Sequence, residues 1–397
     1  MPIGVAVTGM GIVSSIGLSV DENFQSLMDR RTGISYLENF HSKHAAHIKV
    51  GEIKVSNEEF QERLNLPIDL SFTRTSLLGA YAAKQAIVDA GISEINSVRT
   101  GLISATSVAG MDTTEKYFKD FQEQPALQKF INSHNVGDST NKIADYLGIR
   151  GMVSGISTAC SSAANAIMLG SSLIETGRLD RVIVGGTDAL SKFTINGFNS
   201  LMILSDRDNA PFDQNRKGLN LGEAAAYLVL ESEDQVQKEN KQVLAFLSGY
   251  GNANDAYHQT ASSETGEGAY LAILKALKKA SLQPKDIDYI NVHGTATTNN
   301  DLSEGRALQR IFESVPDFSS TKSFTGHTLA AAAAIEAVYS ILALRANVVF
   351  PTLNFQTKIE EFDLVPATEL IHKEIHHVLS NSFGFGGNCS TLIFSKS

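Results

Sequence analysis

The order of elements in the first half of the chain recurs in the second. In the first half the spacing predicts a helix with Leu77, Tyr81, Lys84 and Val88 on one face, leading through Asp89-Ala90-Gly91-Ile92 to a strand at 101–105. In the second, Leu271, Leu274 and Leu277 line one helical face, Lys275, Lys278 and Lys279 lie off it, and Gln283-Pro284 leads to a strand at 289–292. A short strand at 155–157 then ends in Thr158-Ala159-Cys160, before a helix of small residues over 161–174. The second half answers with Thr321-Lys322-Ser323, Gly326-His327 and an alanine-rich helix over 328–344. Each half closes on two strands, 181–186 with 225–230 and 377–380 with 391–395. Strands alternating with helices predict a mostly parallel sheet. The chain therefore reads as a duplicated α/β protein, two βαβαβαββ halves over residues 1–240 and 241–397 with two sheets packed about buried helices. A charged run at 231–241 (ESEDQVQKENK) is expected to be a solvated connection between them. Cys160 and His327 occupy the same place in the two copies, the strand-to-helix junction, so pseudo-twofold packing would bring a thiol opposite an imidazole.

Composition removes several function classes. With 33 Lys+Arg against 43 Asp+Glu, the net charge is -10, which argues against general nucleic-acid or anionic-membrane binding. The only cysteines are Cys160 and Cys389, too few for a disulfide framework or a cysteine-rich zinc site. The opening MPIGVAVTG has no basic n-region, and the most apolar run, 329–344, is broken by Glu336, so neither a signal peptide nor a membrane helix is expected. A cytoplasmic protein follows. Gly9-Met10-Gly11 resembles the start of a dinucleotide loop, but Ser14 stands where the third glycine belongs. His41, His44 and His47 have a spacing a metal could use; they lack acidic or thiol partners, and no metal is expected.

Four segments carry chemistry. Cys160, in STACSSA, is expected in the first turn of a helix, where the dipole would favour the thiolate; taken alone, it could equally be a small buried core residue. His293, in NVHGTAT, ends a strand where active sites of α/β sheets gather, with Gly294 permitting close approach and Thr295 and Thr297 offering hydroxyls. His327, in TKSFTGH, is expected at a helix N-terminus, which keeps its imidazole neutral and donating. Lys322 is expected to pair with Glu336 in the interior. The glycine loop NSFGFGGN (381–388) can point backbone amides inward; by itself it would be read as a hairpin turn.

Together these residues resemble the β-ketoacyl-carrier-protein synthases of the type I/II group, in the thiolase superfamily. The resemblance runs along nearly the whole chain, through VAVTGMGIVSSIG, STACSSAANAI, PFDQNRKGLNLGEAAAYLVLE, NANDAYH, VHGTATTNND, TKSFTGH and NSFGFGGN. It implies the thiolase-like fold in five α-β-α-β-α layers, and a homodimer. Carried over by motif, Cys160 is the acyl-accepting nucleophile, His293 and His327 promote decarboxylation, and Lys322 and Glu336 support the site. The backbone N–H groups of Cys160 and Phe385 look like an oxyanion hole, with Phe385 as a gate. Thr295, Thr297, Gly386, Gly387 and, in the DAYH segment, His258 match substrate-binding positions. The resemblance implies decarboxylative condensation of malonyl-carrier with an acyl group on Cys160, in fatty-acid or polyene/polyketide elongation. It requires no cofactor or metal beyond the 4'-phosphopantetheine of an acyl carrier protein. By the same resemblance Arg74 and Arg207 are expected to dock that acidic carrier.

The departures fall on the pocket, not on the catalytic set. Leucines and glycines usual after His327 are replaced by Thr328, Leu329 and the alanines 330–334; Asn388-Cys389 replaces threonine-asparagine; residues 204–211 are shortened; and 107–118 matches weakly, carrying Asp112, Thr113 and Thr114. These changes resemble ketosynthases of specialised polyene pathways at least as much as fatty-acid enzymes. A chain-length-factor-like subunit of a heterodimer is the alternative reading, but such subunits lack the nucleophile; one remains possible as a partner. Degradative thiolases need glycines after the second cysteine, whereas Gly384, Gly386 and Gly387 precede Cys389. The initiating Cys-His-Asn synthases lack the His327 motif.

Overall fold

The computed structural model describes residues 4–40, 42–67 and 71–397; His41 lies outside them. The first half places strands β1 (Val5–Ser14), β2 (Thr100–Ala105), β3 (Val153–Ile156), β4 (Arg181–Asp188) and β5 (Ala224–Glu231) around helices α1 (Arg74–Asp89), α2 (Val136–Leu147) and α3 (Ser162–Glu175). The second half repeats the set as β6 (Ala245–Asn254), β7 (Tyr289–Asn291), β8 (Asp317–Ser319), β9 (His377–Phe383) and β10 (Asn388–Ser395), with α4 (Glu267–Ala280), α5 (Thr298–Ile311) and α6 (Ala332–Ala346). The strand order runs β3-β2-β4-β5-β1 in the first copy and β8-β7-β9-β10-β6 in the second. In both, the first three strands of that order are parallel and the last two are antiparallel additions. The copies meet where β1 pairs with β6, through Val5–Leu247, Ala6–Phe246 and Val7–Ala245, so the two expected sheets are the five-stranded halves of one continuous ten-stranded sheet.

Helices α1 and α2 cover the outer face of the first sheet, and α4 and α5 that of the second. Between the sheets lie α3 and α6, completing five layers of a thiolase-like fold. Residues Ala332 to Leu344 of α6 are all buried, as a helix clad on every side by protein must be. The stretch Leu329–Ala346 is long and apolar enough to cross a membrane, yet 89% of it is buried inside the protein, which makes it a core helix.

The duplication reaches down to single glycines. A Cβ at Gly9 or Gly11 in β1 would stand 2.4 Å from the Ala86 carbonyl oxygen or 2.1 Å from that of Ala82, both on α1. In β6, Gly249 and Gly251 meet the Ala276 and Ala272 carbonyls of α4 at 2.5 and 2.2 Å. Gly9-Met10-Gly11 is thus the seat of a helix pressed on a strand, not a nucleotide loop. The same contact corrects both expected helix faces. The sheet side of α4 is Ala269, Ala272, Ile273, Ala276 and Leu277, while Leu271 and Leu274 are each 37% exposed. On α1 the buried side includes Leu77, Ala82 and Ala86, and Val88 faces out. Backbone-to-backbone approach selects alanine, so leucine spacing pointed to the wrong face. The charged run at 231–241 is also not wholly solvated. Glu231 is buried and bonded to Arg181 (2.7 Å), Lys241 (3.0 Å) and the Thr8 hydroxyl (2.5 Å).

Candidate active site

The junction after β3 is a tight turn. Ala159 takes a positive φ of 53°, and Ser162 Oγ accepts from the Thr158 N–H while donating to the Ala159 carbonyl. Helix α3 begins at Ser162 with Ser161 as its cap. Cys160 therefore lies just ahead of the helix, not in its first turn, and only 6% of it is exposed. Burial pushes the thiol up to about 12, against the downward pull of Lys322 and of the backbone N–H groups of Phe385 and Cys160. Desolvation thus opposes the pull of the helix dipole towards the thiolate.

The corresponding junction of the second half, after β8, supplies Lys322 and His327. Lys322 is buried and its ammonium donates to Glu336 Oε1 on α6 (2.5 Å) and to His293 Nδ1 (3.3 Å). Burial lifts the Glu336 carboxyl to about 7 and Lys322 opposes that rise. His327 is held through Nδ1, which accepts from the Leu329 N–H at 3.2 Å. It sits before a short 3-10 turn rather than on the helix itself. In each ring Nδ1 is an acceptor, so the proton resides on Nε2. Both imidazoles are held well below their ordinary range, first by burial and then by the Lys322 charge. The rings stand 5.5 Å apart and nearly perpendicular, at 88°.

Cys160, His293 and His327 line one cavity of about 260 Å³, together with Thr295, Thr297, His258, Phe385, Gly386 and Gly387. The Thr295 and Thr297 hydroxyls bond each other at 2.9 Å. Phe385 stacks on Phe198 at 5.8 Å. His258 is exposed, its Nδ1 accepting from the Thr260 N–H. Lys322 and Glu336 stand behind the histidines, outside the lining. Cys389 is a buried lining residue whose thiol burial also pushes up.

Arg207 is exposed and donates to the Asn215 carbonyl at 2.6 Å. Arg74 is not a docking residue: it is buried, with Nη2 on Glu223 (2.7 Å) and further bonds to the Ile53 and Val55 carbonyls and Asn57. A carboxylate already neutralises it, leaving no charge for a partner. Among the described residues no cluster of three or more His, Cys, Asp or Glu could hold a metal ion.

Three supports were not visible from motifs. The buried Glu304 carboxylate on α5 accepts from the His293 and Gly294 N–H groups, each at 2.9 Å, and from Asn381 Nδ2 at 3.1 Å. Asp188, closing β4, accepts from the Thr106 and Ser107 hydroxyls and from the N–H groups of Ser107 and Ala330, tying the pocket loop to the turn after His327. Asn388 Oδ1 receives Ser161, Asn165 and Asn252, joining the thiol's helix to the second sheet. A carboxyl eleven residues after His293 was the one sequence cue available for Glu304.

The geometry has counterparts among known proteins. The family model described as Beta-ketoacyl synthase, N-terminal domain, matches residues 4–236, and that described as Beta-ketoacyl synthase, C-terminal domain, matches 244–356. The 3-oxoacyl-[acyl-carrier-protein] synthase 2 of Staphylococcus aureus (strain MRSA252) is 32% identical over 410 residues, spanning 99% of this chain and 98% of the relative. A chain of the ketosynthase ApeO in complex with its chain length factor ApeC, from Xenorhabdus doucetiae, superposes with a TM-score of 0.85 at 32% identity, covering 100% of this chain and 99% of that one. The AntDE:AntF assembly, a type II PKS acyl-carrier protein in complex with its ketosynthase bound to the hexaketide, gives 0.89 at 28% identity and 100% coverage of both. With a buried thiol and two Nε2–H imidazoles in one chamber, and matches of this extent, the chain belongs to the β-ketoacyl synthase family.

Proposed function

We propose that this chain condenses malonyl-carrier with an acyl group held on Cys160, extending the acyl chain by decarboxylation. The observation that carries the reading is the pair of neutral imidazoles, each with Nδ1 occupied, lining one cavity with the thiol. In the first step the Cys160 sulfur attacks an acyl thioester and its proton leaves with the departing carrier thiol, so the raised thiol needs no permanent base. In the second, malonyl thioester loses carbon dioxide and the electrons of the broken C–C bond pass into the thioester as an enolate. The His293 and His327 Nε2–H groups donate to that oxygen. The enolate carbon attacks the acyl-Cys160 carbonyl, the oxyanion is met by the Cys160 and Phe385 N–H groups, and the sulfur leaves and regains a proton. Lys322 and Glu336 fix the His293 tautomer. Thr295, Thr297, His258, Gly386 and Gly387 receive the pantetheine arm, and Phe385 gates the acyl pocket.

The cycle needs no cofactor of the enzyme's own, because the 4'-phosphopantetheine belongs to the acyl carrier protein. Arg207 is the expected carrier contact of the original pair. The protein works in the cytoplasm as a dimer, with a second copy or with a chain-length-factor-like subunit such as ApeO possesses; Cys160 assigns this chain the catalytic place. The half-exposed edge strand β3 is available for that pairing. The two halves divide near residue 240. Mass spectrometry of purified protein offered a panel of acyl-carriers is the test. An acyl mass on Cys160 that disappears on adding malonyl-carrier, with β-ketoacyl-carrier and carbon dioxide formed, is expected; no adduct with any acyl-carrier would end the reading.

A further inference from the structure

Among the described residues lining the reaction cavity, Lys217 is the one lysine or arginine. It is exposed whereas Cys160 is buried, which puts the ammonium at the mouth and the thiol at the floor. Its neighbours in sequence fix its place. Arg216 donates to the Thr297 (3.3 Å), Thr298 (2.8 Å) and Asp213 (2.8 Å) carbonyls, and the Gly218 N–H donates to the Ala296 carbonyl at 3.0 Å. Lys217 therefore rides on the wall that carries Thr295 and Thr297. No side-chain carboxylate stands within 4.0 Å of it among the described residues. Asp255, the carboxylate of the same lining, is taken up by the Ser263 N–H and hydroxyl and by the Gly268 N–H. Arg207, outside the lining, is bonded to the Asn215 carbonyl, two residues from Lys217. Of the two acids that flank Arg207 in sequence, Asp208 pairs with Lys49 at 2.9 Å and Asp206 is exposed.

We propose that Lys217 is a specificity residue that reads the phosphate of the prosthetic arm. The inference rests on the carrier-dependent synthase reading. An arm whose thioester reaches Cys160 ends in a phosphate at the other extremity, and an unpaired ammonium on the polar side of the mouth is the complement of that charge. The phosphate then sets how far the arm enters, with the threonines along its length.

The test compares acyl-4'-phosphopantetheine with acyl-pantetheine, bearing the same acyl group and no protein, as donors to Cys160 in the full-length enzyme. The readout is kcat/KM for acylation by intact mass. The unmodified enzyme should favour the phosphorylated donor by about 5-fold, the scale of an exposed ion pair, and the preference should shrink with added salt. Lys217→Gln should bring the ratio near one, and Lys217→Arg should keep it. Because the ratio is internal to each protein, loss of folded enzyme cancels. A ratio that survives Lys217→Gln overturns the proposal. So does a Lys217→Gln defect seen only with carrier-borne substrates, which would mean that Lys217 meets acidic side chains of the carrier. If the unmodified enzyme takes an acyl group from no donor, carrier included, the synthase reading itself fails.

Discussion

Replacing Glu304 with glutamine should flatten the loss of stability towards alkaline pH while slowing condensation. The Glu304 carboxyl is buried, receives three neutral donors and has no cationic partner among the described residues; burial lifts it from the ordinary 4.5 to about 7, with Asp301 pushing the same way. Between those values the folded chain keeps a proton that the unfolded chain has released. Stability is therefore lost as pH rises through this window, by about 3 kcal/mol once pH 8 is reached. Glutamine does not titrate, so Glu304→Gln removes this slope and leaves the contributions of all other groups in place. For a chain of this length about 3 kcal/mol corresponds to roughly 3–4 °C in Tm. Thermal unfolding of both proteins at several pH values from 5 to 8 should show the variant gaining by that amount relative to the parent. The glutamine oxygen can serve only one of the two N–H groups, His293 or Gly294, that the carboxylate holds together. Condensation should then slow about 10-fold, the worth of one hydrogen bond to a charged acceptor. A Tm difference that does not change between pH 5 and pH 8 would refute the charge argument.

Other expectations are simpler. His327→Ala should cut condensation by about 100-fold or more in single-turnover experiments on acyl-loaded enzyme, because one donor to the enolate oxygen is gone; an undiminished rate would remove His327 from the chemistry. Gly251→Ala puts a methyl 2.2 Å from the Ala272 carbonyl oxygen, and neither backbone can yield easily. A loss of about 1–3 kcal/mol in denaturant unfolding is expected, and an unchanged midpoint would show that α4 can lift from the sheet. Alkylation of Cys160 by iodoacetamide in the substrate-free enzyme should keep accelerating from pH 7 to pH 10, since burial holds the thiol near 12. A plateau below pH 9 would restore the thiolate.

What the sequence made legible depended on whether a residue's neighbours in the chain are also its neighbours in space. STACSSA, NVHGTAT, TKSFTGH and NSFGFGGN each keep their chemistry within a few residues, and the repeat pattern brought the segments together. Lys322–Glu336 was readable because one helix carries the carboxylate back over the lysine. Glu304, Asp188 and the Asn165–Asn252–Asn388 cluster were not, since their partners are backbone amides and neutral side chains that leave no spacing rule. Arg74 failed for a related reason: its partner Glu223 is 149 residues away, so nothing nearby revealed that its charge was spent. Helix faces were misjudged because strand glycines, not helix leucines, decide which side approaches.

The thiol comes from one copy of the repeat and both imidazoles from the other. Neither copy contains a working fragment of the reaction, so catalytic competence is a property of their docking. The asparagine bridge at Asn388 and the short β1–β6 seam are among the contacts that set this docking, so the register between the copies fixes the distance from sulfur to imidazole.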